Sequence, residues 1–112
     1  MHRTIVILLF FLLIAVNEVT GQDSLYTQEV YNDIEKHIQQ NDSLALAKDY
    51  LTLSSIHGFA SNEDSMLYYI FKSHALYVLL GDSANILLLN NKIGQWYSSN
   101  GQFEVAKKYF SQ

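Results

Sequence analysis

The sequence contains no cysteine and no proline among its 112 residues. Without cysteine, the chain has no disulfides, thiolate metal sites, cysteine nucleophiles or lipidated N-terminal cysteine. Without proline, its helices run uninterrupted. Charged residues make up only 16% of the chain and hydrophobic residues 49%, which is too apolar for a disordered tail. The length suits one small domain or part of a larger one.

Basic residues are also scarce, and they are scattered along the chain. Seven Lys and Arg stand against eleven Asp and Glu, which gives a net charge of −4. No stripe of basic side chains is available to neutralise phosphates, so we do not expect this segment to bind nucleic acid. The one basic doublet, Lys107-Lys108, falls where a helix would present its solvated face.

Residues 1–21 have the pattern of a secretory signal peptide. A short basic start at residues 1–4 precedes twelve consecutive apolar residues, IVILLFFLLIAV, at 5–16. A helix that crosses a membrane needs about 20 such residues. Gly21 ends a plausible cleavage site with small residues, so we expect the remaining chain to be exported to the bacterial periplasm or outside the cell. The alternative is that the apolar run is retained as a membrane anchor. We expect the protein to contact a membrane only through such a retained N-terminal segment or through a missing C-terminal region.

Four Asp-Ser dipeptides divide the remaining chain into pieces of helix length. Asp and Ser favour helix starts because their side-chain oxygens accept hydrogen bonds from unpaired backbone N–H groups. Asn100-Gly101 adds a turn signal. Apolar residues at helical spacing, without a useful alternation of period two, predict an all-α fold. The expected helices are about 25–40, 43–58, 63–80, 83–99 and 102 to the end, and the dipeptides begin at Asp23, Asp42, Asp64 and Asp82.

The chain also repeats itself after about forty residues. A shift of forty places Asn41-Asp42-Ser43 on Gly81-Asp82-Ser83. A period of this size is typical of stacked pairs of helices. The same shift pairs Leu53 with Ile93, Ser54 with Gly94, His57 with Tyr97, and Ser61 with Gly101.

The segment from Asn90 to Phe110 resembles a tetratricopeptide repeat (TPR). The signature of that family combines large apolar, small and aromatic residues at fixed intervals. This segment departs from the family at its first position, where Asn90 replaces the aromatic residue that opens the repeat. The preceding repeat, 43–79, matches the signature more weakly. The signature positions in this chain are Ile93, Gly94, Tyr97, Gly101, Phe103, Ala106 and Phe110.

The resemblance implies antiparallel helical hairpins stacked as a short TPR-like α-solenoid over residues 22–112, with about two repeats, the last incomplete. In that arrangement Gly94 and Ala106 are small because two helices cross there with their backbones close together. The rings of Tyr97, Phe103 and Phe110 fill the space beside the crossing. Gly101 takes the tight turn with φ > 0. The alternative is an ordinary helical bundle with coincidental spacing.

No catalytic or metal-binding pattern stands out in the sequence. The four histidines, at 2, 37, 57 and 74, include no pair at the i, i+4 spacing that grips zinc on one helix. Of these, His37 is expected on a solvated face, and His57 and His74 are expected to be packing residues. Glu63-Asp64 is interpreted as a helix cap. We therefore expect a protein that is not an enzyme and that uses no cofactor and no metal; an enzyme would require a further domain downstream.

The TPR resemblance implies a partner-binding groove. Members of the family bind extended peptides or helices along a concave surface that is lined by the first helix of each repeat. Asn and Gln side chains there would hydrogen-bond a partner's backbone; alternatively, they simply face solvent. The basic residues that clamp a C-terminal carboxylate in some members are not present. The groove positions carried over are Leu88, Asn91, Gln95, Ser98 and Ser99, and, forty residues earlier, Lys48, Leu51, Ser55, Gly58 and Phe59.

Two functions follow from these patterns. The first is an exported scaffold with a protein or peptide partner. The second is the N-terminal extracytoplasmic sensor segment of a membrane-bound bacterial regulator, of histidine kinase or DNA-binding response type, because residues 81–110 are similar to repeats in exported sensor regions of bacterial signalling proteins. The sequence stops partway through a repeat, which predicts a longer protein. An apolar run of about 20 residues after Gln112 would indicate the regulator, and a further repeat with a polar closing helix would indicate the scaffold.

Overall fold

The computed structural model describes residues 21–112, with side chains from Leu25 onward. This part of the chain forms five α-helices and no strand, which confirms the all-α prediction. The last four helices begin within one residue of the expected positions, and the first, expected from about residue 25, is already helical at Gly21. The rest of the predicted signal peptide lies outside the described residues. The helices are α1 (Gly21–Gln39), α2 (Ser43–Phe59), α3 (Glu63–Leu80), α4 (Ser83–Ser99) and α5 (Phe103–Phe110).

The four connections between these helices share one backbone geometry. Each contains a residue with positive φ: Asn41 at 54°, Ser61 at 58°, Gly81 at 67° and Gly101 at 77°. The N–H of that residue donates to the carbonyl three residues earlier at 3.0–3.1 Å, and the next N–H donates to the carbonyl five residues earlier at 2.9–3.0 Å. This pair of bonds is the Schellman motif, which satisfies the last carbonyls of a helix. The left-handed residues fall at 41, 61, 81 and 101, so one helix and its turn occupy 20 residues throughout.

The residue after each left-handed position is the N-cap of the next helix. The side chains of Asp42, Asn62 and Asp82 accept a hydrogen bond from the backbone N–H three residues ahead, at 3.1–3.3 Å. Asn62 therefore caps α3, and the expected cap at Glu63-Asp64 is wrong because both residues already lie in the first helical turn. Gln102 occupies the N-cap position of α5 but its side chain forms no capping hydrogen bond.

Consecutive helices pack against each other in antiparallel pairs. The core consists of two clusters, and the second joins three successive helices. A buried hydrogen bond from the Ser73 hydroxyl to the Ala47 carbonyl, at 2.8 Å, also ties α3 to α2. The first cluster contains Val30, Ile34, Tyr50 and Leu53, and the second contains Ala47, Ile70, Tyr77, Leu89 and Ile93.

The contacts themselves repeat after forty residues. His57 stacks on Tyr69 with ring centroids 5.4 Å apart, and Tyr97 stacks on Tyr109 at 5.8 Å. The hydroxyls of Tyr31 and Tyr69 lie 3.5 Å apart, and at the equivalent positions the rings of Phe71 and Tyr109 lie 6.4 Å apart. Each pair of residues thus has a counterpart forty positions later, so the all-α fold is repeat-like in its packing as well as in its turns.

The hairpin of α4 and α5 differs in detail from the expected packing. The two helices are antiparallel and in contact, and Gly94 and Ala106 are both buried. A Cβ atom on Gly94, however, would lie 2.6–2.9 Å from three ring atoms of Phe110, so a ring and not a backbone fills the space at this glycine. Phe103 is 65% exposed and does not fill the space beside the crossing. Gly101 has the expected positive φ.

Candidate partner-binding surface

One face of α2 and the corresponding face of α4 are open to solvent. The exposed positions are three, four or seven residues apart, so they lie on one side of each helix. Each exposed residue of α2 has an exposed counterpart forty positions later on α4. The exposed positions of this face are Leu44, Lys48, Ser55 and Phe59 on α2, and Ala84, Leu88, Asn91, Gln95 and Ser99 on α4. We call this set the α2/α4 face.

Seven of the ten groove positions expected from the TPR resemblance are exposed: Lys48, Ser55, Phe59, Leu88, Asn91, Gln95 and Ser99. The other three are partly buried. Leu51 packs against the cluster that joins α2 to α4. Gly58 lies against Met66, since a Cβ atom on it would be 3.0 Å from the Met66 sulfur. Leu51 and Gly58 therefore contribute to packing between helices, and Ser98 is only partly accessible.

The hydroxyl groups of the α2/α4 face donate within their own helices. Ser55 donates to the Leu51 carbonyl at 3.2 Å, and Ser99 donates to the Gln95 carbonyl at 2.9 Å. The amides of Asn91 and Gln95 each offer two donor hydrogens and an acceptor oxygen at the surface. Side-chain amides are thus the main uncharged polar groups that this face presents to a partner.

The charges near this face are of both signs. Lys48 is exposed on α2. Hydrogen bonds from the Asn85 side chain and backbone lower the pKa of the Asp82 carboxyl, and the positive charge of Lys48 adds to this effect. Lys48 and Asp82 therefore place one charge of each sign near this face.

A groove of about 710 Å³ lies between α1 and α2, at one edge of the α2/α4 face. It shares Ser55 and Phe59 with the predicted partner-binding set. Its other lining residues on α1 were not anticipated, because α1 precedes the segment with a clear repeat signature. The apolar character of Ile56 beside Phe59 is the one signal in the sequence that points to this groove. Its lining residues are Tyr26, Thr27, Thr52, Ser55, Ile56, Phe59 and Ala60.

The three described histidines contact neighbouring helices. The Nδ1 atom of His37 lies 2.5 Å from a carboxylate oxygen of Asp49, so the expectation that His37 occupies a solvated face is wrong. The Nε2 atom of His74 lies 2.8 Å from the Asn90 side-chain oxygen. His57 stacks on Tyr69, which agrees with a packing role. In residues 21–112, no group of three His, Asp or Glu side chains is placed to hold a metal ion.

A cluster of aromatic rings lies where α3 faces α1 and α2. The ammonium of Lys72 lies 5.1 Å from the ring centroids of both Tyr50 and Tyr68. Hydrogen bonding to Tyr68 is the main cause that raises the pKa of Lys72. A hydrogen bond with Tyr31, together with burial, raises the pKa of Tyr69 to about 12. These rings join three helices and are part of the packing between them.

No protein-family model matches this chain, and neither a curated protein nor a solved structure shows significant similarity to it. None of the helices in residues 21–112 is long and apolar enough to span a membrane.

Proposed function

We propose that this chain is a TPR-like scaffold that binds a peptide or helix of a partner protein through the α2/α4 face. The observation that carries the proposal is the exposure of the same positions on α2 and α4, forty residues apart. A surface that recurs in successive units is how helical-repeat proteins build an extended binding site.

The repetition of contacts supports an α-solenoid in preference to a closed bundle. In a solenoid each unit contacts only its neighbours, and the same contacts recur from unit to unit. The extensive contacts in residues 21–112 are between consecutive helices. The pairs Tyr31–Tyr69 and Phe71–Tyr109 then link alternate helices at the same repeat positions, the first through hydroxyl groups and the second through rings.

The amides of Asn91 and Gln95 suit recognition of a polypeptide backbone. An amide side chain pairs with a backbone N–H and C=O irrespective of the sequence that carries them. The proposed protein performs no catalysis and uses no cofactor. It acts outside the cytoplasm after removal of residues 1–21, and mass spectrometry of the mature protein would then show a chain that begins at Gln22.

Site-specific photocrosslinking tests the binding face. A photoreactive amino acid at Gln95 should crosslink the partner in the native host, whereas the same amino acid at Lys108, exposed on α5, should not. Gln95→Ala should leave the thermal unfolding midpoint unchanged and reduce the amount of partner that is captured. Equal capture by both forms would remove Gln95 from the site, and crosslinking from Lys108 alone would place the site elsewhere.

The alternative function is the extracytoplasmic sensor segment of a membrane-bound regulator. It rests on the resemblance of residues 81–110, noted from the sequence alone, to exported sensor repeats in bacterial signalling proteins. Binding at the α2/α4 face would then alter an output domain elsewhere in the protein. Determining the coding sequence beyond Gln112 separates the two functions, because the regulator needs an apolar run of about 20 residues there.

A further inference from the structure

Asn100 and Gly101 form the only Asn-Gly pair in the chain. The backbone nitrogen that follows an asparagine is able to attack the side-chain Cγ atom and close a five-membered ring. Glycine hinders this reaction least, because it has no Cβ atom beside the attacking nitrogen. Both residues are exposed at the turn between α4 and α5, so water reaches them. The pair therefore has the composition of a deamidation site.

The turn itself does not require an asparagine at position 100. The residues that precede the other three left-handed positions are Gln40, Ala60 and Leu80, and those turns have the same pair of backbone hydrogen bonds. The reactive pair thus arises from the side chain at position 100 and not from the geometry that all four turns share.

The folded turn keeps the two reacting groups apart. The ψ angle of Asn100 is 11°, which places the Gly101 nitrogen nearly eclipsed with the backbone nitrogen of Asn100. Ring closure needs the Gly101 nitrogen beside Cβ instead, because Cβ is a member of the ring, so the Cα–C bond must rotate far from this value. Two hydrogen bonds oppose that rotation. The Gly101 N–H donates to the Ser98 carbonyl at 3.0 Å, and the Asn100 side-chain amide donates to the Trp96 carbonyl at 2.8 Å.

From this geometry we propose that Asn100 deamidates when the turn between α4 and α5 opens, and that the closed turn protects it. The Gly101 nitrogen gives its proton to the solvent and bonds to Cγ of Asn100. The bond from Cγ to the side-chain nitrogen breaks, and that nitrogen takes a proton from the solvent and leaves as ammonia. One water molecule then opens the succinimide at either carbonyl, which gives aspartate or isoaspartate. A reaction confined to the open form proceeds in proportion to the population of that form.

The products should weaken the turn. Both replace the amide with a carboxylate, which does not donate to the Trp96 carbonyl and which places a negative charge at the C-terminal end of α4, where the helix dipole disfavours it. Isoaspartate also adds one carbon to the main chain before Gly101, which moves the N–H groups of Gly101 and Gln102 away from the carbonyls that they bind. The deamidated chain should therefore unfold at a lower temperature than the intact chain.

Mass spectrometry of the full chain, digested after incubation in mildly alkaline buffer, measures the rate of the reaction. A synthetic peptide of residues 97–105 in the same buffer is the reference, because so short a segment does not form a stable helix. The rate constant at Asn100 should be about tenfold or more lower in the native chain than in the peptide. Phe110→Ala should raise the rate in the full chain severalfold, since it removes the ring that lies against Gly94 and helps to hold α5 on α4. Leu25→Ala is the matched control, because Leu25 is a large apolar residue that is 69% exposed on α1, and it should leave the rate unchanged.

Three results would each overturn the proposal. Equal rate constants in the native chain and the peptide would show that the turn gives no protection. The absence of deamidation in the peptide would show that Asn100 is not reactive. A native rate that Phe110→Ala leaves unchanged would separate the reaction from the opening of this turn. None of these results bears on the α2/α4 face, which is tested by Gln95→Ala.

Discussion

The imidazole of His57 stacks on the ring of Tyr69, with centroids 5.4 Å apart and planes 9° apart. Forty residues later, Tyr97 stacks on Tyr109 at 5.8 Å and 11°. The two pairs differ in chemistry and agree in geometry, so the packing of the helix pairs sets the stack and the ring type does not. The position of His57 therefore requires a flat ring and does not require an ionisable one.

Replacing His57 with phenylalanine should stabilise the protein. In residues 25–112, the Nε2 atom of His57 is buried without a hydrogen-bond partner. Phenylalanine keeps the stack on Tyr69 and removes the unsatisfied nitrogen, which should raise the free energy of unfolding by about 1 kcal/mol. Urea unfolding measures the change. His57→Ala is the control and should lower stability because it removes the ring; a loss of similar size in His57→Phe would show that the imidazole itself is required.

Adding one methyl group at Gly94 should destabilise the hairpin of α4 and α5. The new Cβ atom would lie 2.6 Å from the Cε1 atom of Phe110, so the ring must move. Because Phe110 is 46% exposed, its ring is able to turn outward, and we expect a loss of about 1 kcal/mol, at the low end for overpacking.

A double-mutant cycle identifies the cause of that loss. Phe110→Ala removes the ring. In the Phe110→Ala protein, Gly94→Ala should therefore cause no further loss of stability, and it should slightly stabilise the protein because alanine has the higher helix propensity. Thermal unfolding of the four proteins provides the comparison. Additive losses would mean that Gly94 is needed for a reason other than the Phe110 ring.

The turns and helices were predictable from the sequence because they depend on local chemistry. Gly81 and Gly101 allow positive φ, and Asp42 and Asp82 supply N-caps, so residue type predicts most of the positions where one helix ends and the next begins. The break at Ser61-Asn62 was harder to place, since serine seldom adopts φ near +58°. The forty-residue period was predictable because a shift of forty residues pairs like residues, such as Asn41-Asp42-Ser43 with Gly81-Asp82-Ser83.

The faces of the helices were less predictable than their ends. Apolar residues surround much of α2 and α3, so periodicity does not show which side faces the core. The exposure of Phe103, the contact of Phe110 with Gly94 and the pairing of His37 with Asp49 all depend on how each helix is rotated about its axis. The groove between α1 and α2 was not predictable, because α1 shows little of the repeat signature.

Two opposite substitutions test the left-handed turn positions. Ser61 has φ 58°, which costs an L-residue about 1 kcal/mol, so Ser61→Gly should stabilise the protein by about 0.5 kcal/mol after the greater chain entropy of glycine is deducted. Gly101→Ala should lose about 0.5 kcal/mol, because the backbone strain of about 1 kcal/mol is partly offset by the lower chain entropy of alanine in the unfolded state. No atom lies within 4 Å of a Cβ atom built on Gly101, so steric overlap is not involved.

Gly81→Ala serves as a second copy of that experiment, with φ 67° and equally open surroundings. Chemical denaturation of all three variants should give losses of similar size for the two glycine replacements and a gain for Ser61→Gly. A Ser61→Gly protein less stable than the wild type would show that the Ser61 side chain has a stabilising role that outweighs its φ.

Replacing Tyr31 with phenylalanine should return the titration of Tyr69 toward that of an ordinary tyrosine. The Tyr31 hydrogen bond is the main cause that raises the pKa of Tyr69 from 10.0 to about 12, and burial contributes as well. A raised pKa means that the native state favours the neutral phenol. Its contribution to stability is complete below pH 10 and is lost as the pH rises from 10 through about 12.

The NMR shift of the Tyr69 Cζ atom, followed against pH, should therefore change at lower pH in Tyr31→Phe than in the wild type. Tyr68→Phe is the control, because Tyr68 acts on Tyr69 only through a weaker electrostatic effect, and it should lower the midpoint less. Equal midpoints in the wild type and Tyr31→Phe would mean that burial, and not the contact between α1 and α3, holds the proton on Tyr69.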